Sequence, residues 1–340
     1  MNRRVAGCFA IVLCVAALVV VSDSCGAEER PTERVSPAPE VNSSAVVWRT
    51  PAPPVSPQAG DVWVDPRNGM EMVYIAPGDF TLGTSDAQID AWLKEHPNGG
   101  RKDFKDEQPQ CRVNLPGYWI GRTEVTNAQY VRFVAATGHP APDHWTGGRI
   151  PSGLENFPVV CVEWEDARAY CEWAARHLPT ELEWEKAARG TDGRIFPWGN
   201  QWESKRCRNF ELISGKKYAT LYDEVLQWMK SHDFRREGAA TVGSYGIGAS
   251  PYGCLDMAGN AWEWCGDWYN DKAYERYAKG DLTAPTSGQY RVLRGGSWLL
   301  VHPGYFRCSG RYGTIPGGRS NYFDLFFYGG VGFRCARLPT

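Results

Sequence analysis

Between Gly69 and Thr84 the chain reads GMEMVYIAPGDFTLGT. Apolar and polar residues alternate on either side of Pro77-Gly78-Asp79, which predicts two half-buried strands joined as a β-hairpin. Ser85 with Gln88 three residues later predicts a helix start, because each side chain can bond the other's free backbone N–H. Ile89, Trp92 and Leu93 then supply one apolar face. The same device recurs at Thr126 and Gln129, followed at helical spacing by Tyr130, Phe133, Val134 and Thr137, with Gly138 as the stop. PVVCVEW, residues 158–164, has the continuous apolar run of a short buried strand. A helix is expected from about Asp166 to Arg176, with Ala169, Tyr170 and Trp173 on one face and Pro179 beyond its end. Thr180 and Glu183 open another, which Gly190 closes. Residues 218–230 look like an extra helix inside a long loop. After that, short strands and Gly- and aromatic-rich turns predominate, and no internal repeat is present.

Composition narrows this picture. A chain of 340 residues can bury a sizeable core in one large domain or two. Its 15 Trp, 37 Gly and 23 Pro favour an irregular, loop-rich fold over long helices. The net charge of -2 offers no electrostatic footprint for nucleic acid, so the expected partner is a protein or a small-molecule ligand.

At the N-terminus Arg3 and Arg4 precede an apolar run from Val5 to Val21 and a small-residue site at Cys25-Gly26-Ala27. This predicts a signal peptide over residues 1–27, and hence export to the periplasm, cell surface or medium with no membrane span after cleavage. The alternatives are an uncleaved anchor, for which the run is slightly short, and a lipid on Cys25, for which Ser22-Asp23-Ser24 is a poor lead-in. Residues 28–60, rich in Pro and Ser, bury too little to offset their ordering entropy and are expected to form a flexible tether. The folded domain is expected over 61–340. Signal cleavage leaves Cys111, Cys161, Cys171, Cys207, Cys254, Cys265, Cys308 and Cys335. An exported protein can pair such cysteines, but the spacing does not say which. None lies in a CxxC, which argues against a zinc or thioredoxin-type site.

No Walker loop, HExxH, GxSxG or Rossmann fingerprint occurs. The informative cluster is CLDMAGNAWEWCGDWYND, residues 254–271. Asp256 and Glu263 flank a Gly-containing turn whose carbonyls can face inward, a hard-oxygen donor set that suits Ca²⁺. The alternative is one solvent-facing acid and one helix-capping acid beside a Trp-rich core.

GRTEVTNAQYVRFVAATGH, LPTELEWEKAARG, FPWGN, YGCLDMAGNAWEWCGDWY, RVLRGGSW and GFRCAR occur in this order. Together they resemble the formylglycine-generating enzyme family, also called sulfatase-modifying factors, from Gly69 to Arg337. The resemblance implies an α+β fold: one compact, irregular domain of low secondary-structure content with a C-type-lectin-like core. It implies structural calcium held by the Asp256 and Glu263 side chains and the Gly259 and Ala261 carbonyls. It implies a further calcium site from Asn209, the Phe210 carbonyl and Asp233, although the intervening loop departs from the family spacing. It also implies a disulfide between Cys171 and Cys335. The family's oxidase chemistry needs two copper-binding cysteines five residues apart after GGS. Ser297 and Trp262 match pocket residues of the family, but the copper positions fall on Leu300 and Tyr305, and Cys308 is the single thiol nearby. Copper and the oxidase reaction are therefore not expected.

From Leu299 to Cys335 the chain contains no Lys, Glu, Gln, Met or Trp. NNC codons encode every residue type except these five. The arrangement resembles variable proteins of diversity-generating retroelements, whose varied segment lies between GGSW and GFR on this type of domain; drift in a Gly- and aromatic-rich tail is the alternative. Tyr, Phe, Ser, Gly and Asn dominate the stretch, as in antibody loops. A ligand face is expected from Leu299, Leu300, Val301, His302, Tyr305, Phe306, Tyr312, Tyr322, Phe323 and Tyr328. NYFDLFFYGG could instead be a buried strand pair. The expected function is a calcium-stabilised binding module. Its rivals are an enzyme with altered oxidative chemistry, using His302 and Ser297, and a structural envelope module.

Overall fold

Residues 53–216, 222–317 and 330–339 are described in the computed structural model. The signal segment and most of the tether lie outside them, as do Tyr322, Phe323 and Tyr328. The fold begins slightly before Asp61. Gly60 N–H donates to the Tyr74 carbonyl at 2.9 Å, and Gln58 N–H to the Asp61 carboxylate at 2.8 Å.

The first strands are β1 (Val62–Val64), β2 (Glu71–Ile75) and β3 (Gly78–Leu82). β2 and β3 do not form the expected hairpin. β3 pairs with β4 (Cys111–Leu115), whereas β2 lies between β1 and β5 (Tyr118–Gly121). Met72 to Ile75 are buried without a break, so both faces of β2 are covered, as befits an interior strand. The bend between β2 and β3 is bonded elsewhere: Lys186 Nζ donates to the carbonyls of Ala76 and Gly78 at 2.8 and 2.9 Å.

The capped helices form as the sequence predicts. α1 (Asp86–Glu95) carries the Ser85–Gln88 box, and α2 (Asn127–Thr137) carries Thr126–Gln129 and stops at Gly138 with φ of 72°. The expected strand over 158–164 is absent, leaving one bridge between Thr126 and Pro158. Cys161 has a φ of 59°, which an extended strand cannot accommodate. α3 (Trp164–Trp173) therefore starts earlier than expected, with Asp166 bonding the Glu163 N–H. Its buried face is Trp164, Ala167, Tyr170 and Cys171, while Trp173 is left 38% exposed. α4 (Glu181–Arg189) has the Thr180–Glu183 box and ends at Gly190. α5 (Phe210–Ser214), α6 (Tyr222–Ser231) and α7 (Phe234–Glu237) fill the long loop.

β6 (Trp262–Trp268), α8 (Ala273–Tyr277), β7 (Arg291–Arg294), β8 (Tyr312–Thr314), β9 (Val331–Gly332) and β10 (Ala336–Arg337) complete the chain. β10 joins the first sheet beside β5. The others make a second four-stranded sheet in the order β8-β7-β6-β9. β7 is antiparallel to β6, and β9 is parallel to it through Trp262↔Val331 and Glu263↔Gly332. One core cluster packs Trp119, Tyr130, Tyr170, Trp264 and Phe333; a second packs Phe80, Tyr118, Trp184, Tyr274 and Val292. Among the described residues no helix is long and apolar enough to cross a membrane.

Candidate functional site

The segment after β7 opens with two glycines at positive φ, Gly295 at 91° and Gly296 at 76°. A Cβ on Gly296 would sit 2.8 Å from the Phe306 ring, so the turn closes only over a glycine. Phe306 is fully buried and stacks on Trp202 at 5.0 Å. Leu299 is buried with Trp298, Phe210 and Val225. Both residues belong to the core and not to the expected ligand face. The 3₁₀ turn Pro303–Phe306 sends successive side chains to different sides, which alternation in sequence does not reveal.

What remains is an aromatic row, exposed at His302 and Tyr305 and backed by the buried rings of Trp262 and Trp92. Tyr305 is 44% exposed and His302 is exposed; Leu300, Val301 and Tyr312 are half-buried. The Tyr305 ring lies 6.5 Å from Trp262, and Trp262 lies 5.8 Å from Tyr312. On the other side His302 lies 6.4 Å from Tyr305, 5.4 Å from His96 and 6.2 Å from Trp92. Trp92 on α1 and His96, the residue that caps its C-terminus, stack at 4.1 Å one turn apart. Two of its six rings thus come from a helix and its C-cap, far away in sequence. The 3.6 periodicity of α1 places Trp92 and His96 together, but nothing local ties them to His302.

The segment is anchored from beneath. Arg307 donates to both oxygens of buried Glu107 at 2.7 Å, and Arg311 to both oxygens of Glu181 at 2.6 and 2.8 Å. Such forked charge-assisted bonds fix position as well as charge. Ser297 is buried under the row, against Gly330, while His302 is exposed. Cys308 is fully buried and its thiol is pushed up to about 12 by that burial. It is therefore poorly suited to act as a thiolate ligand.

Beside this face lies a buried acidic group. Glu124, Asp256 and Glu263 are all at most 5% exposed. Arg334 donates to both oxygens of Glu263 at 2.6 Å, and Trp184 Nε1 adds a bond of 2.8 Å. Asp256 accepts from Gly243 N–H, and Asn260 Nδ2 donates to Glu124 Oε1 at 3.0 Å. Glu124 Oε2 is buried with no donor other than a shared proton, and a side-chain hydrogen bond links Glu124 to Asp256. Burial, then the charges of Asp256 and Glu263, push the Glu124 carboxyl well above the usual range; burial raises Asp256 as well. Ionised together, three carboxylates against one guanidinium would leave a deficit of positive charge; without an ion Glu124 and Asp256 relieve it by sharing a hydrogen bond, and a hard cation at the loop 256–263 would take that proton's place. Sequence inspection overlooked Glu124 because it stands in TEVTN, far from the loop. Among the described residues no three His, Cys, Asp or Glu side chains are grouped to hold a metal by themselves. An ion here would depend on the Gly259 and Ala261 carbonyls as well as on acids.

The donors of the further calcium set already have protein partners. Asn209 is buried with its Oδ1 capping Leu212 N–H and its Nδ2 bonded to the carbonyls of Ser204 and Cys207. The Phe210 carbonyl accepts from Ser214 Oγ. Asp233 is 55% exposed and pairs with Arg236. Cys171 and Cys335 do meet: both are buried, and their sulfurs lie 3.3 Å apart as two thiols.

Residues 58–339 match the model of the sulfatase-modifying factor enzyme 1-like domain. The chain belongs to the sulfatase-modifying factor family. It is 32% identical over 331 residues to the formylglycine-generating enzyme of Streptomyces coelicolor, covering 84% of this chain and 95% of that one. Its identity to the mouse enzyme is 31% over 319 residues, covering 79% and 76%. It is also 32% identical over 280 residues to hercynine oxygenase of Mycolicibacterium smegmatis, of which it spans 58%. Among solved structures, PvdO from Pseudomonas aeruginosa superposes with a TM-score of 0.61 at 24% identity, over 83% of this chain and all of that one. Treponema denticola variable protein 1 gives 0.54 at 24% identity, over 79% and 95%. These similarities agree with the α+β, C-type-lectin-like domain that the motifs imply.

Proposed function

We propose that this family member is an exported, non-catalytic binding module, stabilised by calcium at 256–263, whose ligand face is the aromatic row. The observation that supports the reading is the row itself: His302, Tyr305 and Tyr312 meet beside Trp92, Trp262 and His96 on the segment that follows GGSW. By the family motif the two copper positions would fall on Leu300 and Tyr305, neither of them Cys, and the neighbouring Cys308 is sealed in the core. Large, rigid aromatic area beside small polar residues suits protein or small-molecule binding. The charge deficit at Glu124, Asp256 and Glu263 supports calcium, and the 3.3 Å approach of Cys171 and Cys335 supports their pairing after export.

The test is incubation of the purified protein with Cu(I), oxygen and a cysteine peptide. No aldehyde product and no stoichiometric copper are expected; peptide oxidation would overturn the reading. The restricted residue alphabet supports diversification of the segment by codon-directed mutation. Codons other than NNC at Leu299, Leu300, Val301 or Tyr305 would remove that part. A second reading, an enzyme with altered oxidative chemistry, is favoured by the His96–His302 pair. A redox metal in the native protein would select it.

A further inference from the structure

His302 caps the turn that presents Tyr305. Its Nδ1 accepts a hydrogen bond of 3.1 Å from Gly304 N–H, at the head of the turn Pro303–Phe306. Pro303 has no N–H, so Gly304 supplies the first backbone donor of the turn. A Cβ at Gly304 would lie 2.9 Å from the same Nδ1, so the close approach needs a glycine. A ring nitrogen that accepts must carry a lone pair, which places the proton of the neutral ring on Nε2. Protonation makes both nitrogens donors. Gly304 N–H then loses its acceptor and faces another N–H.

The charges facing His302 come from three places. His96, the C-cap of α1, lies 5.4 Å away and is itself held at Nδ1 by the Trp92 carbonyl. Arg307 follows on the same segment, forked onto Glu107. Asp103, on the 3₁₀ segment Arg101–Glu107, is the acid that opposes them. Partial burial, then His96 and Arg307, hold the imidazole below its ordinary value. A ring depressed in this way contributes stability above the ordinary imidazole value and loses it as pH falls through the folded one.

We infer that His302 is an acid-sensitive cap whose protonation releases the 302–306 turn and withdraws Tyr305 from the aromatic row. The consequence for binding rests on the proposed ligand face; the conformational change does not.

The test uses the full chain labelled with [¹³C]His and [¹⁵N]Gly, without ligand. Its six histidines are assigned by single His→Asn variants. The His302 midpoint is expected below 6.5, with the Gly304 amide shifting at the same midpoint. His302→Asn keeps a capping acceptor but does not titrate, so the Gly304 shift between about pH 8 and pH 5 disappears. His96→Asn raises the His302 midpoint. A Gly304 amide that stays fixed while His302 titrates, or that still titrates in His302→Asn, overturns the inference. Failure of the ligand-face reading registers separately, as binding indifferent to Tyr305→Ala.

Discussion

Arg334 grips Glu263 through two bonds of 2.6 Å, with both side chains fully buried. Deleting one partner strands the other as an uncompensated buried charge. Arg334→Ala is therefore expected to cost about 3–5 kcal/mol in urea denaturation. Because Glu124 and Asp256 share the same pocket of negative charge, the loss should exceed that of removing an exposed pair such as Arg112–Asp79.

The calcium proposed at 256–263 predicts a melting temperature that falls on chelation. At a calcium concentration about 100 times the dissociation constant, linkage supplies about 2.7 kcal/mol. Asp256→Ala should abolish the difference between calcium and chelator, measured by calorimetry. Asp233→Ala, at an exposed residue paired with Arg236, should leave it unchanged.

How far the sequence disclosed these features depended on range. The capping boxes at Ser85, Thr126 and Thr180 were legible because donor and acceptor lie three residues apart. The hairpin at Pro77 was misread because β2 and β3 take partners far along the chain. Tyr305 and Phe306 looked alike, and only the 3₁₀ turn separates the exposed ring from the buried one. The family motifs located the acidic loop. They did not show that Glu124 completes its charge or that His96 meets His302, since both are tertiary encounters.

Those two adjacent aromatics give a contrast. Phe306→Ala should lose about 3–5 kcal/mol, because it empties a filled site between Trp202 and the Gly296 turn. Tyr305→Ala should stay within about 0.5–1 kcal/mol of the parent while weakening ligand binding. Thermal melts and binding measured on the same preparations separate the two roles.

Asp267 supplies a pH dependence. Burial, then the charge of Glu181, pushes its carboxyl up to about 7, although it accepts a bond of 2.7 Å from Glu181 N–H. A raised folded value means that the native state binds the proton more tightly. The contribution to stability is complete below the ordinary value of 3.8 and is lost as pH rises towards about 7. Asp267→Asn keeps an acceptor for Glu181 N–H and should flatten the denaturation midpoint over that interval.

Cys171 and Cys335 are expected to cross-link once the protein meets an oxidising compartment. Unreduced digests should yield the joined peptides by mass spectrometry. Closing a loop of that length stabilises by up to about 5 kcal/mol in the chain-entropy picture. The double Ser variant should therefore unfold at lower denaturant.

β7 and β9 flank the same strand, β6, one on each side. The segment leaving β7 thus returns to the sheet only two strand spacings, about 10 Å, from where it left. Arg307 and Arg311 bolt its first half to Glu107 and Glu181 independently of the rings it displays. The domain is built like a socket: between the two docking strands the outward rings, such as Tyr305, can be exchanged, provided that Leu299, Phe306 and β8, which fill the core and edge the sheet, stay in place.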